Sequence, residues 1–155
     1  HAIGANLGSD IPFLLSGGSA IVRGFGESIE HIEEDELHLV LILPTYVCPT
    51  GEVYDAYDEH GGGSLDELRV KDGDVFNDLF DAACSVAEEL ANDASKIQKL
   101  VDCDIHLSGS GSTMFCICNN AECAEEIAES IGAQTDLVAV ATHTCVHKEE
   151  LERKT

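Results

Sequence analysis

The chain has 155 residues, of which 8 are basic and 30 acidic, giving a formal net charge of −22. A nucleic-acid binder needs clustered Lys and Arg to offset phosphate charge, so this balance excludes nucleic acid as an expected partner. Anionic membrane surfaces are disfavoured for the same reason. The 44% of hydrophobic residues suffices to fill the core of one domain. The longest apolar stretch, residues 37–43, is far below the roughly 20 residues that cross a bilayer.

Cysteine usage predicts a reducing compartment. The seven cysteines are odd in number, none forms a C-x-x-C pair, and most have apolar neighbours, where a free thiol behaves as a small hydrophobe. The chain begins with His1 and shows no signal-peptide pattern, so we expect a cytoplasmic protein and a fragment of a longer chain. The acidic residues 149–155 are expected to form a solvated tail.

The first part of the chain predicts two strands and a short helix. Apolar runs at residues 20–22 and 39–43 are typical of strands, and glycine-containing and acidic turns separate them. A helix is expected to start after Pro49, with Thr50 capping its free N–H groups. The glycine run at residues 61–63 predicts a flexible loop.

The rest of the chain predicts two amphipathic helices and two buried strands. An apolar stripe of helical period, from Phe76 to Leu90, marks the first helix. The second is expected to begin at an Asn120 cap and to end before Gly132. Apolar runs at residues 114–118 and 137–142 predict buried strands. Together with residues 39–43 they are expected to form one antiparallel sheet with both helices on a single face, an α+β architecture.

Two motifs could carry chemistry. Residues 107–113, L-S-G-S-G-S-T, form a Gly/Ser loop whose backbone can approach a phosphate closely and offer several N–H donors. The loop lacks the Lys of a Walker loop and leads into a strand, so neither a Walker nor a Rossmann site is predicted, and a plain tight turn is the alternative. Asp10, which precedes Ile11 and Pro12, could either accept a hydroxyl proton or cap a helix.

A third pattern concerns metal binding. His143, Cys145 and His147 alternate, so an extended strand would place all three on one side. The pattern supplies no fourth ligand, and histidines and a thiol at a strand end are more often packing or surface residues. No metal site is therefore predicted.

Four segments, in this order, resemble the 4-diphosphocytidyl-2-C-methyl-D-erythritol kinase family of the GHMP kinase superfamily. They are L-G-S-D-I-P-F-L-L-S-G-G-S-A with the following R-G-F-G-E, then P-T-G-E-V-Y, N-D-L, and the Gly/Ser loop within residues 106–115. Four ordered matches are far more specific than any one of them, and the resemblance covers about residues 7–146. Phe80 departs from the family, which usually has Glu after N-D-L.

The resemblance implies a ferredoxin-like C-terminal GHMP kinase domain at residues 31–148, with the end of the N-terminal domain at residues 1–30. It implies transfer of the ATP γ-phosphoryl group to the 2-hydroxyl of 4-diphosphocytidyl-2-C-methyl-D-erythritol, in non-mevalonate isoprenoid biosynthesis. Asp10 matches the catalytic Asp, Tyr54 an aromatic position that stacks on cytosine, and Thr50 a contact to the same base. The residues expected to hold phosphate are Ser108, Gly109, Ser110, Gly111 and Ser112.

The acidic charge implies that counter-charge for ATP comes from elsewhere. Arg23 is the basic residue close in sequence to a motif, so Mg²⁺ and an N-terminal half of the kinase would neutralise most of the phosphate charge. We therefore expect these 155 residues alone to bind nucleotide weakly and not to turn over. The alternatives are another GHMP small-molecule kinase, such as a mevalonate or homoserine kinase, and a non-catalytic ferredoxin-like binding domain.

Overall fold

A computed structural model describes residues 8–32, 35–61 and 75–145. Five helices and six strands occur in these ranges, and they are numbered in chain order. The helices are α1 (Ile11–Ser16), α2 (Thr50–Glu59), α3 (Phe80–Val86), α4 (Glu88–Gln98) and α5 (Ala121–Gln134). The strands are β1 (Ser19–Arg23), β2 (Ser28–Ile32), β3 (His38–Leu43), β4 (His106–Leu107), β5 (Met114–Cys118) and β6 (Val138–His143).

The chain divides into two units, which are described separately. The described part of the first comprises residues 8–32, 35–36 and 144–145, and that of the second comprises residues 37–61 and 75–143. The boundary follows residue 36, whereas the sequence places it after residue 30. The assignment of the two parts to GHMP kinase domains stays a prediction, and the acidic tail at residues 149–155 and two of the three loop glycines at 61–63 lie outside the described residues.

The first unit contains α1 and an antiparallel hairpin of β1 and β2. The hairpin pairs Ser19 with Ile32 at its open end and Arg23 with Ser28 at the turn. β1 is the strand predicted at residues 20–22, but β2 was not expected. Its sequence, SIEHI, has four exposed positions and one half-buried one, so it lacks the apolar run by which strands are found.

The second unit is built on a four-stranded antiparallel sheet in the order β4-β5-β3-β6. β3 is central and pairs with both β5 and β6 over five and six residue pairs. The prediction that residues 39–43, 114–118 and 137–142 share one antiparallel sheet is confirmed, and β4 is an additional short edge strand.

Alternate residues of the sheet point into the core, on the face that the helices cover. Val40 and Ile42 of β3 are fully buried, as are Met114 and Cys116 of β5, whereas the residues between them are partly exposed. The helices bury their own apolar residues in the same cluster, which contains Val53, Ala83, Leu90, Ile97, Ala124 and Ile131. The predicted α+β fold, with helices on one face of an antiparallel sheet, is confirmed.

The predicted helix from Phe76 is wrong in its start and in its continuity. The structure has two helices here, because Ala87 adopts an extended conformation (φ −129°, ψ 97°) and separates α3 from α4. The apolar stripe runs through the break because Ala87 and Leu90 are both buried. The stripe therefore records which residues are buried and cannot reveal one extended residue between two helices.

The second predicted helix starts where expected and ends later. Asn120 caps α5, with its side-chain oxygen accepting a hydrogen bond from the Cys123 N–H at 2.8 Å. The predicted stop at Gly132 is wrong, since α5 continues to Gln134. No heavy atom lies within 4 Å of a Cβ placed on Gly132, so nothing there requires a glycine. The chain leaves the helix at Thr135, whose N–H and hydroxyl both donate to the Ile131 carbonyl.

All seven cysteines lie in the described part of the chain, and all are free thiols. Cys48, Cys116 and Cys118 are buried. Burial raises the pKa of Cys118 to about 11, and the neighbouring Cys103 and Cys123 add to the shift. Burial likewise raises the pKa of Cys116 and, helped by the charge of Glu89, that of Cys48. The nucleophilic thiolate form of these buried side chains is therefore suppressed near neutral pH.

We expect thiol reactivity to separate the cysteines into two classes. With a chromogenic thiol reagent at pH 8, exposed Cys145 should react fast, while Cys48, Cys116 and Cys118 should react only as the protein opens. In denaturant all seven should titrate. A native protein in which the three buried thiols react as fast as Cys145, or a denatured one with fewer than seven thiols, would contradict this arrangement.

Among the described residues, no helix combines the length and the apolar character needed to cross a bilayer.

Candidate functional site

The Gly/Ser loop, residues 108–112, connects β4 to β5 and is closed by its own backbone. The Ser108 N–H donates to the Thr113 carbonyl at 2.9 Å, and the Gly111 N–H donates to the Ser108 carbonyl at 3.0 Å. Gly109 and Gly111 have φ values of 57° and 90°, in the left-handed region that favours glycine. The glycines are therefore needed for the shape of the turn itself.

The inner side of the loop rests on the core. A Cβ on Gly111 would lie 3.1 Å from Leu107 Cδ1 and 3.3 Å from Cys48 Sγ, so this glycine allows close packing as well as a positive φ. The Ser112 hydroxyl donates to the Tyr46 carbonyl at 2.7 Å. The phenol of Tyr46 in turn donates to Asp93 at 3.1 Å, and burial, together with the Asp93 charge, raises the pKa of that phenol. The loop is thus anchored to the segment between β3 and α2.

The outer side of the loop keeps hydrogen-bond donors available. Within the described ranges, no acceptor pairs with the backbone N–H groups of Gly109 and Ser110. Two successive N–H groups on a positive-φ turn form a small concavity suited to an anion. Of the five residues predicted to hold phosphate, Gly109 and Ser110 offer such donors, while the N–H groups of Ser108 and Gly111 and the hydroxyl of Ser112 are engaged in shaping the loop.

The structure brings Thr50 to the same loop. The Thr50 Oγ1 atom lies 3.0 Å from the Ser110 Oγ atom, so one hydroxyl donates to the other. The prediction that Thr50 caps α2 is wrong: Pro49 occupies the cap position, Thr50 is the first helical residue, and no side chain caps the helix. Tyr54 follows one turn later on the same side of α2, and the residue is 52% exposed. An exposed aromatic ring therefore stands one helical turn from the loop contact.

Asn77 also holds the loop, and sequence reasoning assigned it no role. Its Nδ2 atom donates to the carbonyls of Leu107 at 2.9 Å and Gly109 at 2.8 Å, while its Oδ1 atom accepts from the Leu79 N–H at 2.9 Å. The available signal was the N-D-L match at residues 77–79, which marked the segment without indicating what the amide contacts. Phe80, the departure from the family pattern, begins α3 and packs against the core.

Asp10 stands at the start of α1 in the first unit, with an exposed carboxylate. The Ser9 hydroxyl donates to its Oδ1 atom at 3.1 Å. The alternative that Asp10 caps the helix is wrong: it occupies the cap position, but its own backbone is helical (φ −84°, ψ −18°) and its side chain makes no capping hydrogen bond. The described structure thus gives this carboxylate no helix-stabilising bond to maintain.

A tight backbone contact fixes the segment before Asp10. Gly26, in the turn between β1 and β2, is buried and has a φ of 87°. A Cβ built on Gly26 would overlap the carbonyl oxygen of Ser9. The turn therefore packs directly against the peptide that leads into Asp10, and only a glycine fits at this contact.

A metal cluster is not found in the described ranges, where no group of three or more His, Cys, Asp or Glu side chains is arranged to hold an ion. His143 of the alternating pattern lies beside His38, with ring centroids 6.5 Å apart. His147, the third residue of that pattern, lies outside the described residues.

The chain was compared with known proteins. No family model matches it. The 4-diphosphocytidyl-2-C-methyl-D-erythritol kinase of Sulfurovum sp. (strain NBC37-1) is 34% identical over 130 residues, covering 73% of this chain and 48% of the relative. The chain belongs to the 4-diphosphocytidyl-2-C-methyl-D-erythritol kinase family. The kinase of the same name from Desulfitobacterium hafniense (strain Y51) is 31% identical over 154 residues, covering 90% of this chain and 53% of the relative.

A solved structure of the same family agrees with this membership. A crystal structure of 4-(cytidine 5'-diphospho)-2C-methyl-D-erythritol kinase superposes with a TM-score of 0.74 at 26% identity, covering 92% of this chain and 55% of that one. A homoserine kinase from Cytophaga hutchinsonii superposes with a TM-score of 0.59 at 14% identity, over 85% of this chain and 49% of that one, which shows a shared fold. The chain spans about half the length of the curated relatives it matches.

The contact between Gly26 and the Ser9 carbonyl can be tested by two matched glycine substitutions. Gly26→Ala combines a left-handed backbone with overlap on the Ser9 carbonyl, so we expect it to cost more than about 2 kcal/mol. Gly24→Ala, also at positive φ, meets only the movable carboxylate of Glu27 and should cost about 1 kcal/mol. Thermal melting measures both, and equal losses for the two variants would show that the Ser9 contact imposes no such constraint.

Proposed function

We propose that the chain forms the C-terminal portion of an ATP-dependent kinase acting on the 2-hydroxyl of 4-diphosphocytidyl-2-C-methyl-D-erythritol, in isoprenoid precursor biosynthesis. Membership of the kinase family supports the reaction class. In the reaction, the substrate oxygen forms a bond to the γ-phosphorus while the bond between that phosphorus and the β–γ bridging oxygen breaks. ADP leaves, and the hydroxyl proton passes to a base.

The observation that carries the proposal is the state of the Gly/Ser loop. Its inward-facing groups are bonded to the protein, and the N–H groups of Gly109 and Ser110 are available to phosphate oxygens. Phosphoryl transfer depends mainly on positioning and on stabilising the charge of the phosphate groups, which fixed backbone donors can do without reorganising. We infer that the loop holds phosphates of the substrate or the nucleotide.

The start of α2 would hold the cytosine of the substrate. Tyr54 exposes its ring one turn from Thr50, and the Thr50 hydroxyl reaches the loop at Ser110. Stacking on an aromatic face is worth about 1–3 kcal/mol per base. The pairing of an exposed ring with a phosphate-holding loop supports a ligand that contains both a base and a diphosphate.

Asp10 would orient the 2-hydroxyl and accept its proton. The carboxylate is exposed and makes no capping bond, and its recorded side-chain partner is the neighbouring Ser9 hydroxyl. A base in phosphoryl transfer chiefly positions the nucleophile, which a carboxylate within hydrogen-bond reach can do. Both roles require a carboxylate oxygen that solvent and substrate can reach, and the exposed Asp10 side chain provides one.

ATP and Mg²⁺ are the proposed cofactors. The described residues include groups suited to bind ATP phosphates, but not a cluster suited to bind the metal ion. Loop N–H donors suit phosphate oxygens, but the described residues offer no metal-holding cluster, and Arg23 is engaged with Glu30 at 3.1 Å. The net charge of −22 further disfavours polyphosphate. We therefore propose that an N-terminal half of the kinase supplies most of the counter-charge. The seven free thiols support a cytoplasmic location.

The proposed reaction is tested by Asp10→Asn in the complete kinase that carries this sequence. Asn keeps the side-chain shape but cannot take a proton, so kcat for the diphosphocytidyl substrate should fall roughly 10²- to 10⁴-fold. The melting temperature should change little, because the Asp10 carboxylate makes no capping bond. Exposed Asp102 provides the matched control, and Asp102→Asn should retain full turnover.

Two results would overturn the proposal. Near-wild-type turnover of Asp10→Asn would remove this carboxylate from the mechanism. A wild-type enzyme that phosphorylates homoserine or mevalonate, and leaves the diphosphocytidyl substrate unchanged, would replace the proposed substrate with that of another kinase in the superfamily.

A further inference from the structure

Both polar atoms of the Asn77 side chain make hydrogen bonds, and these bonds join two segments that are far apart in the sequence. Two donor bonds from Nδ2 reach the carbonyls of Leu107 and Gly109, at 2.9 and 2.8 Å. One acceptor bond, from Oδ1 to the Leu79 N–H at 2.9 Å, ties the same side chain to the turn before α3. The amide therefore links the helical layer to both ends of the segment 107–109 and draws two carbonyl groups towards itself.

The direction of those carbonyls determines the direction of the donors. In a trans peptide the C=O and the following N–H point to opposite sides. The Gly109–Ser110 peptide is trans, so when the Gly109 carbonyl turns towards Asn77 the Ser110 N–H turns away from it. The peptide between Leu107 and Ser108 behaves likewise, and the Ser108 N–H donates to the Thr113 carbonyl on the other side.

The two internal hydrogen bonds of the loop, from the N–H groups of Ser108 and Gly111, do not involve the Gly109–Ser110 peptide. Gly109 has a positive φ and lacks a Cβ, so its own backbone conformation offers little resistance to rotation of the Gly109–Ser110 peptide. A rotated peptide would present a carbonyl oxygen, which repels phosphate, where the N–H had been. In the described part of the chain, one hydrogen bond, from Asn77 Nδ2, reaches the Gly109 carbonyl.

We propose that Asn77 is a positioning residue that sets the polarity of the Gly/Ser loop, holding the Ser110 N–H outward to bind a phosphate or diphosphate group. The inference rests on the proposed function of the loop as a phosphate site. Asn77 touches no ligand in this role. It acts through the Gly109–Ser110 peptide, and its donor atoms, rather than its acceptor atom, carry the effect.

Asn77→Asp separates the two functions of the side chain. The substitution keeps the shape and the acceptor for the Leu79 N–H, but it replaces two N–H donors with an anionic oxygen facing two carbonyls. In the complete kinase, the dissociation constant for inorganic pyrophosphate should rise by about tenfold or more, the size of effect expected when a hydrogen bond to a charged group is lost. KM should rise for the reactant whose phosphates the loop holds and stay within twofold for the other.

The matched control is Asn120→Asp at the start of α5. Asn120 uses its oxygen to accept the Cys123 N–H, so the new carboxylate should cap equally well and leave pyrophosphate binding unchanged. If Asn77→Asp melts below the assay temperature, Asn77→Ala takes its place, because it also removes the donors without adding a charge. The same rise in the dissociation constant is expected.

Pyrophosphate binding within twofold of wild type in the folded Asn77 variant would overturn the inference. So would equal rises in KM for both reactants, which general structural damage produces. The proposed function fails on a different measurement. A wild-type protein that does not phosphorylate the diphosphocytidyl substrate would disprove that function, whatever the pyrophosphate affinity of the Asn77 variants.

Discussion

The Gly/Ser loop can direct N–H groups outward because two of its carbonyls and one of its hydroxyls are bonded to other parts of the protein. Asn77 binds the carbonyls of Leu107 and Gly109, and the Ser112 hydroxyl binds the Tyr46 carbonyl. Buried Cys48 and Leu107 lie directly beneath Gly111. These contacts come from three separate stretches of the chain, so the shape of the loop depends on the packed sheet and helices.

The same packing places the other candidate residues of the second unit. β3 leads through the segment of Tyr46 and Cys48 to the start of α2, which brings the Thr50 hydroxyl to Ser110. Tyr54 follows on the same side of the helix with its ring exposed. In the first unit, the close approach of Gly26 to Ser9 constrains the backbone entering Asp10. In both units, a glycine allows a close backbone contact next to polar groups that remain available to a ligand. These groups are the loop N–H donors in the second unit and the Asp10 carboxylate in the first.

Sequence patterns predicted the parts of the fold that burial controls. The three long strands of the sheet were found because residues 39–43, 114–118 and 137–142 form apolar runs, and the Asn120 cap was found because its side-chain chemistry is local. Polar β2 was missed, and the extended Ala87 was invisible within a continuous apolar stripe. The bonds of Thr50 to Ser110 and of Asn77 to Gly109 span 60 and 32 residues, and no local pattern encodes such pairings.

The proposed role of the Gly/Ser loop requires that the outward N–H groups of Gly109 and Ser110 bind phosphate. The most direct test is a crystal structure of the complete kinase with 4-diphosphocytidyl-2-C-methyl-D-erythritol and a non-hydrolysable ATP analogue. We predict phosphate oxygens within hydrogen-bond distance of these N–H groups, about 2.7–3.2 Å from nitrogen, with cytosine stacked on Tyr54. A complex in which both ligands bind while no phosphate contacts the loop would contradict the account.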